Sequence, residues 1–105
     1  MKIVDQGPHS WFLVQDGESL LLDVNCSHSA VDYDFQIELN DSEKIEYLHG
    51  GRNYLSRLAY AIHYSAPGVI GSASPYKSRK LDVTRAARMQ EAILMWVKAN
   101  SQLAN

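Results

Sequence analysis

Within the stretch Asp23-Val24-Asn25-Cys26-Ser27-His28 the chain carries a carboxylate, a thiol and an imidazole. In an extended segment residues two apart share a side, so Cys26 and His28 would stand together, and His9, His49 or His63 would have to complete a metal or nucleophile site. The spacing argues against that chemistry. The sequence has no Cys-x-x-Cys or His-x-x-x-His pair, and a lone cysteine that continues the apolar side of a strand acts as a small hydrophobe. Cys26 therefore reads as a core residue, with no metal or cofactor implied. Asp32 and Asp34 form a second pair on one side of an extended segment. Acid–base catalysis by two carboxylates needs a cleft that desolvates one of them, and an open strand face does not supply it. No catalytic residue is assigned, and a non-enzymatic role is expected.

Two binding surfaces remain. One is basic: Tyr76, Lys77, Arg79, Lys80 and Arg85, with Arg88 beyond them, combine cations for phosphates with an aromatic ring able to stack on a base. The other is acidic and partly apolar, and it depends on which elements hold the residues.

Those elements begin with Val31 to Leu39, where odd positions (Val31, Tyr33, Phe35, Ile37, Leu39) are apolar and even ones (Asp32, Asp34, Gln36, Glu38) polar, the period of a strand. Lys2 to Asp5 suits a short edge strand that ends at Gln6-Gly7-Pro8. Ser10 to Gln15 and Glu18 to Asn25 flank Asp16-Gly17, which predicts a type I′ hairpin pairing Gln15 with Glu18, Leu13 with Leu20, Trp11 with Leu22 and Phe12 with Leu21. Cys26 to Ala30 turns the chain into the alternating strand. From Asn40 the period becomes helical. Asn40 and Glu43 have the spacing of a capping box, and Ile45, Leu48, Leu55, Ala59, Ile62 and Ala66 keep one phase across Gly50-Gly51, where a break or kink is expected before a helix from about Arg52 to Ser65. Pro67-Gly68 closes it. Residues 66 to 81 show no period and form a long loop, which in a small domain points to a role of its own. Asp82 or Thr84 caps a last helix whose stripe is Ala86, Met89, Ile93, Trp96, Val97 and Asn100, with Arg85 and Arg88 off it. The expected fold is α+β in one domain, residues 1–105: an N-terminal antiparallel meander of three or four strands against two or three C-terminal helices.

In that frame the first sheet face holds Trp11, Leu13, Leu20, Leu22 and Val24. The second holds Phe12, Val14 and Leu21 among Asp23, Asp32, Asp34 and Glu38. Either a helix covers this second face or its apolar residues are anchors inside a carboxylate rim. Charge weighs on the choice. Residues 1 to 50 hold ten acids and two bases, net −8, and residues 51 to 105 eight bases and two acids, net +6, within a total of −2. Two layers of one domain attracting each other would account for the split, as would an acidic face that steers a basic partner. The expected function is non-catalytic protein binding through Phe12, Val14, Leu21, Asp23, Asp32, Asp34 and Glu38. An inhibitor or immunity-type protein is one form of such a binder, nucleic-acid binding through residues 76 to 88 is the alternative, and a homodimer would use the same surfaces. An apolar share of 46%, a charged share of 21% and one cysteine are those of an ordinary globular domain in a reducing compartment. No apolar stretch is long enough for a bilayer, so no membrane association and a cytoplasmic setting are expected.

Overall fold

In the computed structural model, which describes residues 1–7, 10–28 and 31–103, the alternating segments pair as a four-stranded antiparallel meander. The strands are β1 (Lys2–Gly7), β2 (Trp11–Asp16), β3 (Ser19–His28) and β4 (Val31–Glu38), in that spatial order. The expected break at Pro8, the turn residues Ser29 and Ala30, and His9 lie outside the described residues. The β2–β3 hairpin closes at Asp16↔Ser19, so its loop is Gly17-Glu18 and not Asp16-Gly17. Gly17 has φ 63°, whereas Asp16 keeps negative φ. A glycine at the first loop position is the type II′ solution, and it lets Asp16 extend the strand. Cross-strand partners consequently differ by two residues from those expected, with Trp11↔Val24, Leu13↔Leu22, Phe12↔Asp23 and Val14↔Leu21. A shift of two leaves every side chain on its expected face.

The first face packs on α1 (Asp41–Ser65), burying Trp11, Leu13, Leu22, Val24, Cys26, Phe35, Ile37 and Leu39 against Leu55, Leu58, Ala59 and Ile62. Asn40 caps α1 as its spacing predicts: its side chain accepts from Glu43 N–H at 2.8 Å, and Glu43 accepts from Asn40 N–H at 2.9 Å. The kink falls at Gly51 (φ 56°, ψ −141°), a conformation that strains any residue with a Cβ. Helical phase does not survive it. Ile45 and Leu48 are exposed, and the first segment instead turns Glu43 and Tyr47 inward. Ala66, at φ 51°, ends the helix.

A second helix, α2 (Val83–Leu103), begins where Asp82 accepts from Arg85 N–H at 2.9 Å and lies on the opposite face of the sheet. There Val14, Leu21, Leu81 and Met89 form a separate core with Met1, Ile3, Ala86 and Ile93 around it. Val97 and Asn100, expected on the buried stripe, are exposed. The sheet is thus the middle layer between two helices, which is why β2 and β3 read apolar on both faces. That arrangement also explains residues 66 to 81. A chain leaving α1 on one face and entering α2 on the other must round a sheet edge, and it does so at β4: Lys80 bridges Ile37, and Leu81 N–H donates to the Gln36 carbonyl at 2.9 Å. The 3-10 turn Lys77–Arg79 and a serine cluster (Ser65 Oγ to Ser74 Oγ, 2.6 Å; Ser72 Oγ to the Ser65 carbonyl, 3.1 Å) hold this strap in place.

Candidate functional site

On the second face, α2 covers only part of the sheet. The β3–β4 register sets Asp23 beside Gln36, Asn25 beside Asp34 and Ser27 beside Asp32, a polar row continuing past the apolar patch under α2. Alongside it stand Gln90, Ile93 and Leu94 of α2, enclosing with Asp23 and Asp34 a groove of about 180 Å³. A second groove of about 330 Å³ on the β2 side shares Asp23, Asp34 and Ile93 with it, adding Phe12 and Asn25.

Asp23 forms the floor. It is 6% exposed and accepts from Gln36 Nε2 at 2.7 Å. Burial, then the neighbouring Asp34 charge, push its carboxyl from an ordinary 3.8 up to about 7, the Gln36 bond acting the other way. Asp34 is exposed and accepts from Asn25 Nδ2 at 3.3 Å; Asp32 is exposed as well. The arrangement offers two outward carboxylates, a deeper carboxyl that titrates near neutral pH, and the half-open apolar surface of Leu94, 59% exposed. Electrostatic attraction of a cationic group is the chemistry these groups support.

Of the residues expected to bind, Val14 and Leu21 are wholly buried under Met89, which corrects their reading as exposed anchors. Apolar residues at the centre of a sheet face cannot remain open when an amphipathic helix is linked to that face. Phe12 is half-buried, its ring edge-on to Trp96 at 5.8 Å. Glu38, at the far end of β4, is engaged by Arg85 at 2.8 Å and by Ser19 Oγ at 3.2 Å. Of the expected rim, therefore, Asp32 and Asp34 stand open, Asp23 lies beneath them, and Glu38 belongs to a different cluster. Leu94 and Gln90 were not expected at a site, because nothing in the sequence says which sheet face α2 covers; an apolar Leu94 off the buried stripe is the one signal they leave.

The basic segment is largely turned inward. Arg79 pairs with Glu43 at 2.6 Å, donates to the Glu38 carbonyl at 2.9 Å and lies over the Tyr76 ring at 6.0 Å, while Tyr76 packs against the first core. Burial alone would raise the Glu43 carboxyl, but the bonds from Arg79 and Asn40 outweigh it and leave it lowered. Arg85 bridges Asp16 (3.1 Å) and Glu38, and Arg88 reaches Asp16 at 3.9 Å. With Arg52 and Asp5 at 3.1 Å, these pairs join the acidic first half to the basic second half. Lys77 and Lys80 remain exposed.

Cys26 is buried, as its strand position implies. Burial pushes its thiol up to about 11, so the nucleophilic thiolate is disfavoured. His63 Nδ1 accepts from Ser27 N–H at 3.3 Å and His49 Nδ1 contacts the Ile45 carbonyl at 3.0 Å. Among the described residues no three His, Cys, Asp or Glu side chains are grouped to hold a metal, and no helix is long and apolar enough to cross a membrane. In comparisons with known proteins, no family, no curated protein and no solved structure matches the chain.

Proposed function

We propose that the domain is a non-catalytic protein-binding module that engages a basic partner at the open end of its second sheet face, through Asp32 and Asp34 with Leu94 as the apolar neighbour. The observation that carries this reading is exposed Asp34 at the Asp23 groove, against the apolar helix surface of Ile93 and Leu94, with exposed Asp32 two residues further along the same strand face. A charged rim next to apolar area is how many transient interfaces combine fast encounter with a buried contact. An inhibitor of a cationic enzyme, such as a nuclease held by an immunity-type protein, is the kind of activity that fits. The engagement of Arg79 and Arg85 with Glu43, Asp16 and Glu38 supports this choice over nucleic-acid binding through Tyr76, Lys77, Arg79, Lys80 and Arg85, since a phosphate would compete with ion pairs already made.

Affinity capture at low salt from a lysate of the source cell, with wild type and the Asp32→Lys/Asp34→Lys variant as baits, tests the proposal. A basic protein retained by wild type through nuclease treatment and lost by the variant is the expected result. Equal retention on both baits would reject this face, and an eluate dominated by nucleic acid would favour the basic segment.

A further inference from the structure

The β4 edge carries a feature separate from its side-chain charge. In an antiparallel sheet each residue's N–H and C=O point to the same side of the strand, and the side alternates along the chain. Leu39 N–H donates to the Leu20 carbonyl, toward β3, whereas the Gln36 carbonyl accepts from Leu81 N–H, away from β3. Odd residues of β4 therefore face the sheet and even residues face outward. Asp32 and Asp34 thus present their backbone donors and acceptors at the edge, and among the described residues no backbone group pairs with them.

The rest of the sheet's edge backbone is less regular or partly engaged. The β1 edge has a register irregularity between Ile3 and Asp5, and the Gln6 carbonyl there accepts from Arg52 Nη2 at 2.5 Å. The lower half of β4 is covered by the strap at Lys80 and Leu81. A bulge and a covering segment are usual protections of a sheet edge, and among the described residues the stretch from Asp32 to Phe35 has neither, so backbone pairing remains available there.

We infer that the partner adds a short extended strand to β4 at Asp32 to Phe35, with lysine or arginine at alternate positions over Asp32 and Asp34. This rests on the proposed binding of a basic protein at this face and specifies how it binds. Strand addition draws affinity from main-chain hydrogen bonds and specificity from every second side chain. On this edge the second-residue pattern is acidic, so cationic residues at alternate positions match it. A second copy of the chain does not: antiparallel pairing of two β4 edges would bring Asp32 and Asp34 of both copies onto one patch, and like charges across a strand pair are destabilising. The strap occupies the Gln36 carbonyl and so ends the incoming strand, leaving space for about four residues at ~3.4 Å each.

The test uses a blocked seven-residue peptide of alternating lysine and valine, and the same peptide methylated on its lysine backbone nitrogens, which keeps its charge but removes the donors that would face β4. Binding at low ionic strength is read by amide hydrogen exchange of the protein. The expected result is at least tenfold slower exchange of the Asp34 amide with the first peptide and at least tenfold weaker binding of the methylated one. If both bind equally with no protection at Asp34, strand addition is wrong while the charged face stands. If neither binds, both readings fall.

Discussion

Asp23→Asn isolates the energetics of the groove. Asp23 is almost fully buried, its one hydrogen-bonding side chain is neutral Gln36, and among the described residues no cation pairs with it. Asn keeps an oxygen for the 2.7 Å bond from Gln36 and replaces the ionisable oxygen with an uncharged amide NH2. With the folded carboxyl at about 7 against an ordinary 3.8, the folded state holds a proton over that interval which the unfolded chain has released. Stability from this group is therefore complete below the unfolded value and is lost as pH rises through the folded one. At about 1.4 kcal/mol per unit the whole interval corresponds to about 4 kcal/mol, of which about 2 to 3 kcal/mol falls between about pH 5 and about pH 8. Urea unfolding followed by tryptophan fluorescence at those two pH values should show the Asn variant gaining about 2 to 3 kcal/mol on wild type from the lower to the higher pH, with similar slopes against denaturant. Asp34→Asn should flatten the wild-type curve in part, since the Asp34 charge is the second cause of the shift. Parallel curves for wild type and Asp23→Asn would refute the reasoning.

Other consequences are as direct. Arg79→Ala leaves buried Glu43 without its cation and should cost about 2 to 4 kcal/mol in thermal or urea unfolding; because the Glu43 carboxyl is lowered in the folded state, this deficit should shrink as pH falls below the ordinary value of 4.5. Gly51→Ala forces a Cβ into φ 56°, ψ −141° and should cost about 1 to 3 kcal/mol by the same measurement. Cys26 should resist iodoacetamide in the native protein near pH 8 and react stoichiometrically in denaturant, as mass spectrometry would show. Asp34→Pro should change stability by less than about 1 kcal/mol, because its N–H points out of the sheet, whereas Tyr33→Pro, which loses a ladder bond opposite Cys26 together with its packing on the first core and the bond from Gly68 N–H to its hydroxyl, should cost about 3 kcal/mol or more; equal effects would overturn the edge assignment.

Much of the architecture is legible in local patterns, because the determinants are local. The alternation from Val31 to Leu39 gives β4 and both its faces, Asn40 with Glu43 gives the start of α1, and Gly50-Gly51 gives the break. The hairpin register is off by two because an Asp-Gly pair can place its glycine at either loop position, and only packing of β2 on β3 decides between them. The phase of α1 before the kink fails for a related reason: Gly51 rotates the first segment, so Ile45 and Leu48 keep their spacing but not their direction. At the site, the parity of Asp32 and Asp34 can be read from the strand alone. That Val14 and Leu21 belong to a second core cannot, since it depends on the strap carrying α2 round the edge of β4. The charge split is answered in large part inside the molecule, by Arg52, Arg79, Arg85 and Arg88 on the acids of the first half.

Zero-length carbodiimide cross-linking of the captured complex, followed by peptide mapping, bears most directly on the claim that this domain holds a basic partner at the open end of β4. The reagent joins carboxylates to amines in contact, so it reports both the face used and the charge of what meets it. An isopeptide link from Asp32 or Asp34 to a lysine of the captured protein is the predicted product. Links confined to Asp41 or Glu46 at the start of α1, with Asp32 and Asp34 recovered unmodified, would contradict it.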